Sequence, residues 1–115
     1  MKGIILLVED NLLFAKLIQD RLLEEFDITI LCATTYKETT ELLEHNTNIT
    51  LAILDINLPD SNQGEIVDLV TQKNIPSIAI TGFENKELKE SLLHKKIINY
   101  IYKDHDGINQ LINSI

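Results

Sequence analysis

Short apolar runs recur along the chain: Ile4-Ile5-Leu6-Leu7-Val8, Ile28 to Ala33, Leu51-Ala52-Ile53-Leu54, Ile78-Ala79-Ile80 and Ile97 to Tyr102. They are apolar throughout rather than alternating, as expected of parallel strands covered on both faces. Between them the period changes. Leu12 to Glu25 carries Phe14, Leu17, Ile18 and Leu22 at helical spacing, with Asp10 or Asn11 placed to cap it. Thr35 with Glu38 has the form of a capping box opening a helix that runs to about His45. Ile66, Leu69 and Val70 are the inward positions of a third helix. Leu88, Ser91 and Leu92 mark a fourth, and Ile108, Leu111, Ile112 and Ile115 a fifth. Asn57 to Gln63, with Pro59, Asp60, Ser61 and Asn62, reads as a loop. Pro76 is expected at the first position of strand four, where its missing N–H is tolerable.

Strand and helix alternate from end to end, with no repeat, low-complexity tract or linker-like stretch. The pattern predicts an α/β fold, a five-stranded parallel sheet with right-handed crossovers and helices on both faces. The flavodoxin-like, doubly wound strand order 2-1-3-4-5 puts strands one and three side by side at the switch point. A length of 115 residues fits one domain over residues 1–115, large enough to enclose a core.

Composition narrows the class. Hydrophobic residues make up 44% and charged ones 24%, an ordinary soluble balance, and no apolar run is long enough to span a bilayer. Met-Lys-Gly enters a strand pattern directly, and the apolar stretch stops at Glu9-Asp10 without a small-residue cleavage site, which argues against a signal peptide. The single cysteine, Cys32, excludes an internal disulfide and is compatible with a reducing cytoplasm. Within its apolar run it is expected to be a small buried hydrophobe. The formal net charge of −8 repels phosphate backbones and anionic lipid. Direct nucleic-acid or membrane binding by this domain is therefore not expected, whereas a basic protein partner or a cation would be suited. His45, His94 and His105 have no metal-ligand spacing and read as surface residues. Asp104-His105-Asp106 reads as a cap for the last helix.

The chemistry lies where the runs end. Glu9 and Asp10 follow the first, Asp55 the third, Thr81 the fourth and Lys103 the fifth. Ligands of open parallel sheets bind outside the carboxyl ends of the strands, so three carboxylates, a hydroxyl and an ammonium are delivered to one crevice. Carboxylates packed this closely raise one another's pKa unless a cation intervenes. Hard oxygen ligands with open positions suit Mg²⁺. Glu9, Asp10 and Asp55 are the candidate ligands, with the backbone carbonyl of Asn57 as a further one. A carboxylate beside Mg²⁺ can also be a nucleophile, as in aspartyl-phosphate chemistry. Phosphoryl transfer needs positioning and charge compensation above all, and Lys103 supplies a point charge while Thr81 supplies a neutral donor. Gly82 has no side chain to block a phosphoryl group. Phe83, next along, either shields the site or packs within its loop.

These motifs resemble those of the bacterial response-regulator receiver domains. IILLVEDN at Ile4 to Asn11 resembles the family's opening, and AILDINLP at Ala52 to Pro59 its phosphoacceptor segment. AITG at Ala79 to Gly82 and YIYK at Tyr100 to Lys103 are similar to its remaining motifs. The resemblance covers the whole chain. It implies that Asp55 is the phosphorylated aspartate, Glu9 and Asp10 the metal-binding acidic pair, Thr81 the switch hydroxyl, Lys103 the invariant lysine and Tyr100 the switch aromatic. It further implies a phosphohistidine donor on a sensor histidine kinase or phosphotransfer protein, and an output face built from helix four, strand five and helix five. On this reading the chain is a regulatory phosphoacceptor, not an enzyme. An effector domain beyond Ile115 and a homodimer are both left open.

Two departures stand out. The family's lysine is commonly followed by proline through a cis bond, whereas Asp104 follows Lys103. A non-proline cis bond costs about 2.5–4 kcal/mol, so a trans bond is predicted. The loop between Asp55 and Gly64 is about one residue longer than usual. Other readings compete: a haloacid-dehalogenase-like phosphatase, opposed by Asn57 where a second aspartate is required; a flavodoxin-like cofactor carrier, opposed by the acidic first turn; and a docking module that is never phosphorylated, opposed by the complete residue set.

Overall fold

The computed structural model describes residues 2–95 and 97–115. Its elements alternate as β1 (Lys2–Val8), α1 (Leu12–Glu25), β2 (Asp27–Ala33), α2 (Tyr36–His45), β3 (Ile49–Asp55), α3 (Glu65–Thr71), β4 (Ser77–Thr81), α4 (Lys86–Leu93), β5 (Asn99–Tyr102) and α5 (Gly107–Ser114). The sheet order is β2-β1-β3-β4-β5, as expected, and every pairing is parallel. In register, Val8 stands beside Leu54 and Thr81 beside Tyr102, so the carboxyl ends of β1, β3, β4 and β5 open onto one edge.

Strand side chains alternate between two cores because successive residues point to opposite faces. Ile5, Leu7, Ile53, Ile78 and Ile80 meet Ala15, Ile18 and Leu22 of α1 and Leu111 of α5. Leu6, Val8, Ala52, Leu54 and Ala79 meet Leu43 of α2, Ile66, Val67 and Val70 of α3 and Leu92 of α4. Each fully buried Leu or Ile contributes roughly 1.5–3 kcal/mol of transfer free energy. The sheet is thus covered by apolar packing on both faces, and its carboxyl edge is where polar side chains emerge.

Several expectations are corrected. Leu17 is exposed, because α1 buries only the narrow stripe Ala15, Ile18 and Leu22. Ser91 is also exposed, leaving Leu92 as the buried anchor of α4. Cys32 is exposed rather than buried. Its strand, β2, is the sheet edge, and the thiol lies beside Glu38, Glu41 and His45 of α2. The final-helix cap differs as well: the Asp106 carboxylate takes no backbone N–H of α5 but accepts from the Asn109 and Gln110 side chains.

Other local readings hold. Asn11, not Asp10, caps α1, accepting from Phe14 N–H at 3.1 Å. Thr35 caps α2 by accepting from Glu38 N–H at 3.0 Å, while the Glu38 carboxylate reaches back one residue further than a standard box, to Thr34 N–H. Pro76 immediately precedes β4 and contributes only its carbonyl, to Ala52 N–H at 2.9 Å. The three histidines are exposed. Among the described residues there is no cis peptide bond, so Lys103–Asp104 is trans, as predicted. No helix among the described residues is long and apolar enough to cross a membrane.

Candidate functional site

Asp55 and Thr81 are the last residues of β3 and β4, and Glu9 and Lys103 each sit one step past β1 and β5, so sheet register fixes their backbones. Glu9 N–H donates to Ala33 O at 3.0 Å, and Lys103 N–H donates to Thr81 O at 2.8 Å. These bonds extend the ladders just beyond their ends. Glu9 and Asp55 are each 1% exposed, while Asp10 is open to solvent. One carboxylate oxygen from each of Glu9, Asp10 and Asp55 lies within 4.8 Å of the other two.

Lys103 reaches into this acidic cluster. Its Nζ donates to Asp55 Oδ2 at 2.8 Å and contacts Glu9 Oε1 at 2.5 Å without an aligned hydrogen bond. The ring of Phe14 packs beneath it, 5.3 Å from Nζ to the centroid, a cation–π contact that also screens the ammonium from water. The remaining carboxylate oxygens are bound by the turns that follow them. Glu9 Oε2 accepts Asn11 N–H at 3.1 Å, and Asp55 Oδ1 accepts Asn57 N–H at 2.9 Å.

The electrostatics are unequal. Burial, reinforced by the neighbouring Asp55, pushes the Glu9 carboxyl up to about 8 despite Lys103. Burial opposes ionisation of Asp55 too, but hydrogen bonds from Glu9, Lys103 and Asn57 outweigh it and hold that carboxyl below its usual value. Burial likewise opposes the charge on Lys103, and the two carboxylates overcome it and raise its pKa. One ammonium therefore does not keep both buried carboxyl groups ionised, and Glu9 is the one whose charge is disfavoured. Oxygen donors only, two of them buried and clustered within one ion's coordination span, fit a hard divalent cation.

Thr81 is buried at the end of β4, and its hydroxyl is bound to Asn57 and Phe83. It accepts from Asn57 Nδ2 at 2.8 Å and from Phe83 N–H at 3.1 Å, and donates to Phe83 O at 3.2 Å. A Cβ added at Gly82 would meet no heavy atom within 4 Å. Phe83 is 69% exposed and lines a cavity with Asn57, Thr81 and Tyr100. Tyr100 faces the α4 side of the sheet, 6% exposed, with its hydroxyl unpartnered and its pKa raised by burial. Its ring meets Tyr102 edge to face at 5.6 Å, and Lys89 Nζ lies 5.7 Å from its centroid.

Two contributions were not legible in the sequence. Asn57 was expected to offer only a backbone carbonyl, yet its side-chain amide binds Thr81. An amide at position 57 cannot serve as a general acid or base, which counts against the dehalogenase-like reading. Asp60 clamps the long loop onto α2, accepting Tyr36 N–H at 2.8 Å and Lys37 N–H at 3.1 Å. Leu58 and Ser61 exchange backbone hydrogen bonds around Pro59 and Asp60 to form the turn that presents it. A Pro-Asp pair signals a turn, but nothing local signals a helix end more than twenty positions upstream.

The chain is similar to known proteins over nearly its whole length. The family model described as response regulator receiver domain matches residues 5–115. No curated protein sequence matches the chain. Among solved structures, a signal receiver domain of a two-component signal transduction histidine kinase from Clostridium thermocellum superimposes with a TM-score of 0.86 at 22% identity, covering 97% of this chain and 93% of that one. The signal receiver domain of a putative LuxO repressor protein from Vibrio parahaemolyticus gives 0.84 at 23% identity, with coverage of 99% and 87%. The Mn²⁺-bound form of the response regulator Rcp1 gives 0.83 at 22% identity, with coverage of 96% and 90%. At these identities the likeness is one of fold.

Proposed function

Because the chain belongs to the response regulator receiver domain family, and is thus a regulatory phosphoacceptor of two-component signalling, we propose that Asp55 is its phosphorylated residue and that a phosphohistidine on a sensor kinase or phosphotransfer protein is the donor. The observation that carries this reading is the shared ammonium: Lys103 bound to Asp55 and in contact with Glu9, with Asp10 alongside. The alternative of a receiver fold used only for docking would not need a buried carboxylate pair sharing one ammonium.

Glu9, Asp10 and Asp55, with the Asn57 carbonyl, would hold Mg²⁺ or another divalent cation. When bound, that ion supplies charge compensation for the phosphoryl oxygens. The Mn²⁺ in the Rcp1 structure is a precedent in the same fold. The chain's own residues do the rest. A carboxylate oxygen of Asp55, kept ionised by its hydrogen bonds, attacks phosphorus. The P–N bond of the donor breaks, and its electron pair leaves on the imidazole nitrogen. Lys103 follows the charge from the carboxylate to a phosphoryl oxygen, and Thr81 turns its hydroxyl proton from Phe83 O to another.

The release of Phe83 O frees the start of the β4–α4 connection, and Tyr100, on the α4 side of the sheet, senses the change. The output is thus carried by the face of α4, β5 and α5 to a partner or to an effector domain. A cytoplasmic setting, no direct contact with nucleic acid or membrane, and residues 1–115 as one receiver unit complete the reading. Acetyl phosphate with Mg²⁺ is expected to label the wild type and not Asp55→Asn; equal labelling of both would overturn it.

A further inference from the structure

The segment after Lys103 is where this chain departs from its family's proline. In its place Asp104 builds a turn. Its carboxylate Oδ1 accepts Asp106 N–H at 3.0 Å, and its carbonyl accepts Gly107 N–H at 3.1 Å. The two bonds close the chain over four residues and deliver Gly107 as the first residue of α5. Gly107 is buried against the end of β5. A Cβ there would lie 2.3 Å from the Tyr102 carbonyl oxygen and 3.7 Å from Ile101 Cγ2. The first of those contacts is with backbone, which cannot swing aside as a side chain can. The helix therefore seats directly on the peptide that precedes Lys103.

On the other side, Lys103 N–H is bound to Thr81 O at 2.8 Å. The lysine's backbone is thus held between a sheet bond and a turn that only glycine allows to close so tightly. Its Nζ must span from there to two carboxylates while lying over Phe14. A backbone shift of an ångström would break at least one of those contacts.

We infer that Asp104 and Gly107 are positioning residues for Lys103, the Asx turn and the missing Cβ together fixing where its ammonium enters the acid cluster. The inference rests on the functional reading above for its relevance to phosphorylation, but its geometry does not.

The test exploits a sign. An ammonium seated among Glu9 and Asp55 competes with a divalent cation, so displacing it strengthens Mg²⁺ binding, whereas general loosening of the fold weakens it. Mg²⁺ affinity is measured by titration calorimetry, beside labelling by acetyl phosphate, for wild type, Gly107→Ala, Asp104→Ala and Asp104→Asn. Gly107→Ala and Asp104→Ala are expected to bind Mg²⁺ roughly threefold or more tightly, through lost repulsion. They are expected to label roughly tenfold more slowly, through lost positioning. Asp104→Asn keeps the Oδ1 acceptor without the charge and is expected to stay near wild type in both. In a Lys103→Ala background the Gly107 change should leave Mg²⁺ affinity unaltered. Wild-type or weaker Mg²⁺ binding in either folded variant overturns the proposal; should Gly107→Ala not fold, the contrast between Asp104→Ala and Asp104→Asn decides it. If the wild type is not labelled at all, the phosphoacceptor reading fails while the Mg²⁺ comparison still decides the position of Lys103.

Discussion

The side-chain amide of Asn57 donates a 2.8 Å hydrogen bond to the hydroxyl of Thr81. With Phe83 N–H as a second donor and Phe83 O as acceptor, every hydrogen-bonding position of that hydroxyl is taken. The group proposed to engage a phosphoryl oxygen is thus held by a residue two places beyond the proposed phosphoacceptor. A typical net hydrogen bond is worth about 1 kcal/mol. Asn57→Ala is therefore expected to tighten binding of beryllofluoride, an acyl-phosphate mimic, by about fivefold. Titration with the mimic and Mg²⁺ checks this, and an unchanged or weaker affinity would show that the latch costs nothing to open.

Glu9 makes the metal-free domain sensitive to alkali. A carboxyl pushed up to about 8 in the fold binds its proton more tightly there than in the unfolded chain. That stability is fully present below the ordinary carboxyl range and is lost as pH rises through about 8. Thermal midpoints of the metal-free protein should fall between about pH 6 and pH 9. Glu9→Gln should flatten that decline, and saturating Mg²⁺ should reduce it, because the ion takes the place of the proton. Midpoints that rise over this interval in the wild type would contradict the assignment.

Gly64 opens α3 with φ +74°, and a Cβ there would stand 3.2 Å from Leu92 on α4. An L-residue in this conformation costs about 1–2 kcal/mol before the contact with Leu92 is considered. Gly64→Ala is expected to lower unfolding free energy by at least that amount in urea denaturation. Since Gly64 closes the loop that begins at Asp55, slower labelling should accompany the loss.

Asp60 ties the phosphoacceptor loop to the first turn of α2 through Tyr36 and Lys37 N–H. Asp60→Ala should lower the thermal midpoint and raise hydrogen exchange at those two amides. Asp60→Asn, which retains one acceptor but not the charge, should fall between that variant and wild type. Amides equally protected in all three proteins would show that the clamp does not hold in solution.

What the sequence made legible follows from which forces are local. Ile5, Leu7 and Ile53 announce strands because a strand buried on both faces must be apolar at every position, and the residues that end such strands, Glu9, Asp55 and Lys103, are placed by the sheet itself. Asn11 and Thr35 were readable as caps because a cap satisfies amides two or three residues away. Cys32 was misread because the same apolar run does not reveal that its strand lies at the sheet edge. Leu17 was misread because helical spacing does not give the width of the stripe that α1 buries. Asp60 and the Asn57 amide escaped notice because their partners are set by tertiary packing. The turn after Lys103 shows the mixed case: a trans bond follows from the absence of proline, but the close approach of Gly107 to Tyr102 is set by how α5 seats on β5.

The central claim is that Asp55 takes the phosphoryl group in a metal-dependent reaction. Incubation with acetyl phosphate, reduction by borohydride and peptide mass spectrometry locate an acyl phosphate by converting the modified aspartate to homoserine. The account predicts homoserine at position 55 in the presence of Mg²⁺ and none after chelation. Homoserine at another aspartate, or at position 55 regardless of metal, would contradict it.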